Sequence, residues 1–335
     1  MCWDPTQQCG MSRRDFLRAA SGGLIGGYLG LALPAQAQQV PRADPAVLRG
    51  MVDFHVHTAP DNFDRTVDAV EVARAARSHG MQALVLKGGA FETVTRAAYT
   101  NAAIGGGVRV FGGVVLNWPT GGMNPAAVQA MVSLRGGGSE RLGRVVWMPS
   151  FNARNHHQRF NIPAPPVEVF DGTRLLPAVR EILRLCAENS LVLETGHLSP
   201  QEALALIREA RSAGVERIVC THADFDPINM SIEEQREAAR LGAYIEHAYI
   251  GVFLGPQSPA ERFRAWRGAS AEQMFAAIRA VGAERCILSS DLGAAPLLTP
   301  VDGYLAFVRR LQELGLTDRE LDLMTRRNPS ELLRA

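Results

Sequence analysis

The most informative stretch of the sequence is MVDFHVHTAPD, residues 51–61. Apolar residues lead into His55 and His57, and a β-strand places two residues separated by one on the same face. Imidazole is the commonest side-chain metal ligand near neutral pH. A buried strand that ends in this pair can therefore give one metal ion two ligands. Taken alone, the pair is equally compatible with a surface or structural role, so the rest of the chain must decide.

Eight β-rich runs alternate with amphipathic helical stretches after residue 50. The predicted strands are 51–57, 82–87, 109–117, 144–149, 191–197, 217–222, 243–249 and 286–291. Helical patterns between them include 67–79, 125–134, 200–213, 231–241 and 271–281. This alternation indicates parallel strands joined by helices. Eight units favour a (β/α)8 TIM-like barrel over an open doubly wound sheet, and the first strand lacks the Gly-x-Gly-x-x-Gly of dinucleotide-binding folds.

Polar residues recur where the predicted strands end, which is where barrel enzymes carry their catalytic side chains. They are His55, His57, Lys87, Asn117, Glu194, His197, His222, Glu246, His247 and Asp291. Two long loops, 150–174 and 251–268, follow the fourth and seventh strands. Loops at this face of a barrel usually build substrate specificity.

The order His-x-His, His, His, Asp around eight strands resembles the amidohydrolase superfamily, and the resemblance covers nearly all of residues 38–335. The motifs are DFHVHTAPD (53–61), TGHLS (195–199), SDLG (290–293) and MTRRNP (324–329), and they look like a poorly characterised amidohydrolase-like branch. The resemblance implies that His55, His57, His197 and Asp291 hold one divalent metal ion. Zinc is expected, with Mn²⁺ or Fe²⁺ as alternatives.

The same resemblance implies catalytic roles. Asp291 would take a proton from the attacking water and pass it to the leaving group. His222 would bind a second metal or a developing oxyanion. A bridged pair of metals is not expected, because dinuclear relatives usually carry a lysine on the fourth strand, where this chain has VWMP at residues 146–149.

We expect supporting roles for several other polar residues. Asn117 and Arg154 are predicted to contact the substrate. Asp53, Glu194 and His247 are predicted to support the metal ligands from behind, although His247 competes with Glu246 for the inward position on its strand. A further pair, His156 and His157, lies in a polar loop and is expected to face solvent.

Lys87 is the only lysine of the chain, and the other 34 of its 35 basic residues are arginine. An isolated lysine at a strand end suggests a function, because a buried lysine can lose its proton and arginine cannot. Three roles are open for Lys87: it binds a substrate carboxylate or oxyanion, donates a proton, or forms a carbamate bridge between two metal ions. Chance retention of one lysine in an arginine-biased chain is the alternative.

Residues 1–37 are predicted to be a twin-arginine signal peptide. SRRDFLR at residues 12–18 is followed by an apolar, glycine-rich run and by Ala35-Gln36-Ala37, a small-residue cleavage site. Met11 is an alternative start, which would make residues 1–10 a mis-assigned extension. The expected location is the periplasm or another exported compartment, reached through the twin-arginine translocation machinery. Residues 38–50 are predicted to be a linker, and 51–335 a single catalytic domain.

Charge restricts the partners of the mature chain. Without the signal peptide it has 32 basic and 32 acidic residues, so neither a nucleic-acid nor a membrane-surface partner is predicted. A stable membrane span is not expected in the mature protein. The expected partner is a small-molecule substrate, and a homo-oligomer is left open. We predict an exported metal-dependent hydrolase that attacks an amide, lactone or ester carbonyl. The alternatives are a non-oxidative decarboxylase of an aromatic or unsaturated acid, and a non-catalytic periplasmic binding barrel.

Overall fold

The computed structural model describes residues 45–135 and 140–334 of the chain. The predicted signal peptide and most of the predicted linker lie outside the described residues. The described part of the linker forms a 3₁₀ turn, Pro45–Leu48.

Eight parallel strands form the barrel in chain order. We number them β1 to β8: Val52–Val56, Ala83–Leu86, Arg109–Val115, Gly143–Trp147, Val192–Glu194, Arg217–Cys220, Tyr244–Ala248 and Cys286–Ser289. The segment that follows β8 closes the barrel against β1, where the Asp291 amide donates to the His55 carbonyl at 2.9 Å and the His57 amide donates to the Leu292 carbonyl at 2.9 Å. The predicted (β/α)8 barrel is confirmed.

Helices connect successive strands and cover the outside of the barrel. We number them α1 to α11: Ala69–Ser78, Val94–Ile104, Pro125–Ser133, Arg154–Phe160, Pro177–Glu188, Pro200–Ser212, Ile232–Arg240, Ala271–Val281, Pro300–Glu313, Asp318–Asp322 and Asn328–Leu333. Several begin with a reciprocal capping box, in which the first residue and the third helical residue exchange hydrogen bonds. Ser199, Ser231 and Ser270 are the capping residues of α6, α7 and α8.

The strands are buried on both faces, as expected where helices cover a parallel sheet. Every residue of β1, β2 and β4 is buried. Polar side chains at the strand ends therefore lie in an apolar surrounding, where each needs a partner. None of the helices in the described part of the chain combines the length and apolar character needed to cross a membrane.

The segment after β4 is more ordered than its sequence indicates. The sequence predicts a loop over 150–174, but this segment contains the helix α4 and a two-stranded hairpin, Phe170–Asp171 paired with Arg174–Leu175. The helix buries His156 and His157, which are only 4% and 5% exposed. The prediction that these two histidines face solvent is wrong, because α4 folds back over the barrel opening.

Candidate active site

Two strand ends, those of β1 and β8, bring the first candidate ligands together. His55 lies in β1, His57 follows it, and the closing hydrogen bonds set Asp291 beside both. Asp291 has a φ of 50°, in the left-handed region that residues other than glycine rarely adopt. Gly293 is required nearby, because a Cβ at this position would overlap the carbonyl oxygen of His57. The backbone here is held in an unfavourable conformation that directs the carboxylate toward the histidines.

Three donor atoms converge on one point. Nε2 of His55 and Nε2 of His57 each lie 3.0 Å from Oδ1 of Asp291. Nε2 of His55 is buried and has no hydrogen-bond partner. Ligand atoms about 2.1 Å from one ion are roughly 3 Å from each other. An unpartnered nitrogen at this distance from a carboxylate therefore fits one divalent cation held by His55, His57 and Asp291.

Arg65 occupies the second ring nitrogen of His57. Its Nη2 donates to Nδ1 of His57 at 3.1 Å and to Oδ2 of Asp61 at 2.7 Å. A metal-bound imidazole normally donates its second ring N–H to an acceptor. A cation on His57 therefore requires Arg65 to release Nδ1, and Asp61 holds the guanidinium nearby when it does.

Glu246 orients His55 from inside the barrel. Its Oε1 lies 3.0 Å from Nδ1 of His55 and accepts from the Ser289 hydroxyl, and its Oε2 accepts from the His222 amide. Burial raises the pKa of a carboxyl, but the neighbouring His55 outweighs it and holds the pKa of Glu246 at about 2. Burial likewise opposes protonation of His55, and the carboxylates of Asp291 and Glu246 raise its pKa to about 9.

Glu194, at the end of β5, forms a second donor group with His55 and Glu246. Its Oε2 accepts from the Thr221 hydroxyl at 2.9 Å, while its Oε1 is buried without a partner. Burial and the charge of Glu246 raise the pKa of Glu194 to about 8. Both groups share His55, but only the group around Asp291 contains residues that line the cavity, His57 and Asp291, so it is the better candidate for a metal site that reaches a substrate.

His197 lies in the same cavity but outside the group of converging donors. Its Nδ1 lies 2.9 Å from Nδ1 of His156, and its ring is 5.0 Å from that of His222. Gly196 permits this approach, because it has a φ of 60° and any Cβ would overlap the Met148 and Pro149 carbonyls. Burial and the neighbouring His156 hold the pKa of His197 well below its usual value. The predicted four-ligand set is thus assembled as three donors plus a nearby neutral imidazole.

His222 and Lys87 complete the floor of the site. Nε2 of His222 is 3.9 Å from Oδ2 of Asp291, and its ring stacks on Phe225 with a centroid separation of 4.8 Å. Burial and the charge of Lys87 lower the pKa of His222 to about 4. Lys87 directly follows β2, is 4% exposed and lines the cavity. Within the described residues its ammonium has neither a hydrogen bond nor an ion pair.

The cavity above these residues has a volume of about 220 Å³. Its wall is largely aromatic and its opening is formed by the long loops. The lining residues are His57, Phe63, Arg65, Lys87, Phe151, His156, His197, His222, Phe225, Ile250, Leu254, Arg262, Phe263, Trp266, Asp291 and Ala294. This half-open cavity offers space for a small molecule beside the converging donors.

Two residues predicted to bind substrate lie elsewhere. The amide of Asn117 bonds the carbonyl of Gly89 and both the hydroxyl and amide of Ser150, so its polar atoms organise loops. Arg154 is half exposed and paired with Glu168. Neither lines the cavity. Their positions therefore give no support to substrate contact: Asn117 is used by the backbone, and Arg154 points to solvent.

Of the three residues predicted to support the metal ligands, Asp53 and Glu194 lie beside the site and His247 does not. Asp53 accepts from the Ser290 amide at 2.9 Å and the His55 amide at 3.3 Å, so it joins the ends of β1 and β8. Burial raises the pKa of Asp53 to about 7. His247 faces the opposite side of β7, with Nδ1 2.8 Å from Oδ2 of Asp224. Glu246, rather than His247, takes the inward position.

Comparison with known proteins places the chain in a family. Residues 50–246 match the family of unknown function DUF6282. The chain belongs to this family. The matched segment includes His55, His57, His197, His222 and Glu246, and it ends before Asp291. No curated protein matches the sequence.

Solved structures confirm the barrel fold. An organophosphorus hydrolase from Deinococcus radiodurans is 17% identical, with a TM-score of 0.55, and the match covers 87% of this chain and 94% of that one. A variant of a PTE-like lactonase from the same organism is 17% identical, with a TM-score of 0.56 over 87% and 98% of the two chains. A structure described as organophosphate hydrolysis engineered from a weak promiscuous lactonase template has the same identity, a TM-score of 0.55, and covers 87% and 97%. These similarities confirm the (β/α)8 barrel fold.

Several residues of the site were missed by sequence reasoning. They are Phe63, Arg65, Phe151, His156, Arg262 and Phe263. All lie in loops or short helices beyond the strand ends, where no periodicity marks the inward side. The clustering of aromatic and arginine residues in 251–268 was the available signal for the last two.

Proposed function

We propose that this protein is a metal-dependent hydrolase that acts on the carbonyl group of a small molecule. The observation that supports it most strongly is the convergence of His55, His57 and Asp291. Two imidazole nitrogens lie 3.0 Å from one carboxylate oxygen, and the buried Nε2 of His55 has no hydrogen-bond partner besides this ion pair. Three donor atoms that converge at this spacing suit one shared divalent ion.

The residues of the site suit hydrolysis. A bound divalent ion would polarise a carbonyl and lower the pKa of water. Asp291 faces the same point, and His55 and His57 hold its pKa well below the usual value despite burial, so the carboxylate is ionised. It would take a proton from the attacking water and deliver it to the leaving group. His222 and Lys87 lie where an oxyanion would form, and Lys87 brings an ammonium without a partner.

The substrate we propose is an amide, lactone or ester small enough for the half-open cavity. The similarity in fold to proteins described as lactonases favours lactones as the first compounds to test. One ion, most simply zinc, accounts for the converging donors, because Trp147 ends β4 and offers no bridging group.

We also propose that the protein is exported through the twin-arginine route. Support comes from Arg13 and Arg14, the apolar run after them and the Ala35-Gln36-Ala37 site. Replacing both arginines with lysine should retain the uncleaved protein inside the cell, as judged by fractionation and mass spectrometry of the amino terminus. Unchanged export of that variant would contradict the proposal.

The function is tested with purified protein loaded in turn with Zn²⁺, Mn²⁺ and Fe²⁺. Hydrolysis of lactones, aryl esters and anilides is measured by the acid that each reaction releases. In parallel, aromatic acids are offered as substrates and the carbon dioxide released is measured. Metal-dependent acid release that is lost in the His55→Ala/His57→Ala variant supports hydrolysis. Carbon dioxide release without hydrolysis would favour the decarboxylase, and neither reaction with any ion would favour a binding protein.

A further inference from the structure

Two cations that line the cavity form no ion pair with a carboxylate of the described residues, although Asp61 and Asp64 lie near Arg262 and Glu194 lies near Lys87. Lys87 is nearly fully buried, and Arg262 is half-buried in the loop after β7. Neither forms a hydrogen bond or an ion pair in residues 45–135 and 140–334. Arg65, in contrast, is paired with Asp61 at 2.7 Å. Cations next to an apolar cavity are normally paired, so the lack of a protein partner points to a ligand that supplies one.

The charge of the cavity wall is positive. Asp291 is its only carboxylate, against Lys87, Arg65 and Arg262. Asp61 pairs with Arg65, and both Asp61 and Asp64 attract Arg262 from the surface groove without forming an ion pair with it. On the cavity side the guanidinium of Arg262 has no carboxylate within ion-pair distance in the described residues, so a ligand carboxylate would supply one there.

Arg262 is held at the opening of the cavity by aromatic rings. Its guanidinium carbon lies 4.5 Å from the centre of the Phe63 ring and 5.0 Å from that of Phe263. It also lines a surface groove outside the cavity, beside Asp61 and Pro259. Stacking fixes the plane of the guanidinium and leaves its N–H groups free to bind a carboxylate.

The apolar wall sets the body of the ligand. Phe151, Phe225 and Trp266 surround the space between Arg262 and the floor. Their rings meet the histidines edge-on or stacked, as in the 5.5 Å contact of Phe151 with His197 and the 6.2 Å contact of Trp266 with His197. A flat, apolar molecule fits between these rings.

We propose that the substrate is an anion with an aromatic or otherwise apolar body, and that Arg262 binds its carboxylate at the cavity opening. This inference rests on the proposed function, since it takes the cavity as the reaction site. Lys87 remains beside the reacting carbonyl at the floor. Arg262 is therefore a specificity-determining residue, which selects charged substrates and orients their reacting group toward Asp291.

The test compares acids with their isosteric amides. Benzoate and benzamide, phenylacetate and phenylacetamide, and 3-phenylpropionate and 3-phenylpropionamide are titrated calorimetrically into chelator-treated protein, so that no metal ion can bind the carboxylate. The same titrations are made with Arg262→Met, which keeps the apolar stem, and with Arg262→Lys. Arg267→Met is the control, because Arg267 is exposed on the same loop, lies outside the cavity and has no side-chain hydrogen bond in the described chain.

At least one acid should bind about tenfold more tightly than its amide. Arg262→Met should remove most of this preference while changing amide binding less than twofold, Arg262→Lys should restore part of it, and Arg267→Met should keep it. Equal binding of acids and amides, no binding of any acid, or a preference that survives Arg262→Met would overturn the proposal. Because no turnover or metal is needed, failure of the hydrolase proposal would leave this result readable.

Discussion

His55 on β1 and His247 on β7 are equally buried and have the same kind of hydrogen-bond partner, but they lie on different sides of the barrel wall. Both are 0% exposed, and both have a carboxylate at Nδ1: Glu246 at 3.0 Å from His55, and Asp224 at 2.8 Å from His247. In both, burial opposes protonation and the carboxylates outweigh it, so that the pKa rises to about 9 for His55 and about 10 for His247.

The difference lies in the strand face. His55 faces the barrel interior, where its Nε2 approaches Asp291 and the cavity. His247 faces the helical layer, because its neighbour Glu246 takes the inward position and contacts His55. A histidine near the end of a barrel strand is therefore a candidate ligand only if its face is inward. Alternation along the strand, and not the residue type, separates the two roles.

Removing the inward histidines should have the largest effect. We expect His55→Ala combined with His57→Ala to abolish metal binding and turnover, because one carboxylate cannot hold the ion alone. His247→Gln is the matched control and should keep close to one equivalent of metal while lowering thermal stability. Elemental analysis of both variants decides. Full metal occupancy in the double variant would remove β1 from the site.

The next effect concerns the proton acceptor. Asp291→Asn should keep the fold and much of the metal, but turnover should fall by about three orders of magnitude because an amide cannot accept the proton. The measurement is kcat on any substrate that the wild-type protein processes, with metal content determined on the same samples. Wild-type kcat in this variant would exclude Asp291 from proton transfer.

Lys87→Arg should reduce catalytic efficiency by about two orders of magnitude. Arginine keeps the charge, but it is longer and planar, and it cannot give up a proton. Thermal stability and metal content should stay close to those of the wild type, and Lys87→Met should lose at least as much kcat/KM. Wild-type kinetics of Lys87→Arg would mean that the single lysine is a chance survivor.

On the outward side we expect an effect on stability alone, with no change at the metal site. Asp224→Asn removes the partner of His247 and should lower the free energy of unfolding by about 3 kcal/mol in mildly acidic solution. The raised pKa of His247 stabilises the wild type fully below pH 6.5, and this contribution is lost as the pH rises toward about 10. The difference between wild type and variant should therefore shrink with rising pH in denaturant titrations. A difference that grows between neutral and alkaline pH would contradict the pairing.

The barrel could be predicted from the sequence because its strands are short apolar runs between amphipathic helices. The predicted run 191–197, however, is longer than the strand Val192–Glu194, and 286–291 is longer than Cys286–Ser289. In both cases the chain leaves the strand before His197 and Asp291. Gly196 and Asp291 adopt positive φ there, which turns the functional side chains into the cavity. The pattern of apolar residues along the sequence does not predict this change in chain direction.

The site could be predicted only as far as strand ends define it. His55, His57 and Asp291 meet because barrel closure sets β1 beside β8, a consequence of topology. His156 and Arg262 depend on how loops fold back over the opening, and no period in the sequence encodes that path. Asn117 illustrates the opposite error, since a polar strand-end residue can be consumed by backbone hydrogen bonds.

The most direct test of the metal site is an anomalous difference map from crystals of the protein loaded with zinc, collected on both sides of the zinc absorption edge. The account predicts one peak within bonding distance of Nε2 of His55, Nε2 of His57 and a carboxylate oxygen of Asp291, with the Arg65 guanidinium withdrawn from Nδ1 of His57. A peak on the other side of the His55 ring, between Glu194 and Glu246, or no peak in protein that hydrolyses its substrate, would contradict it.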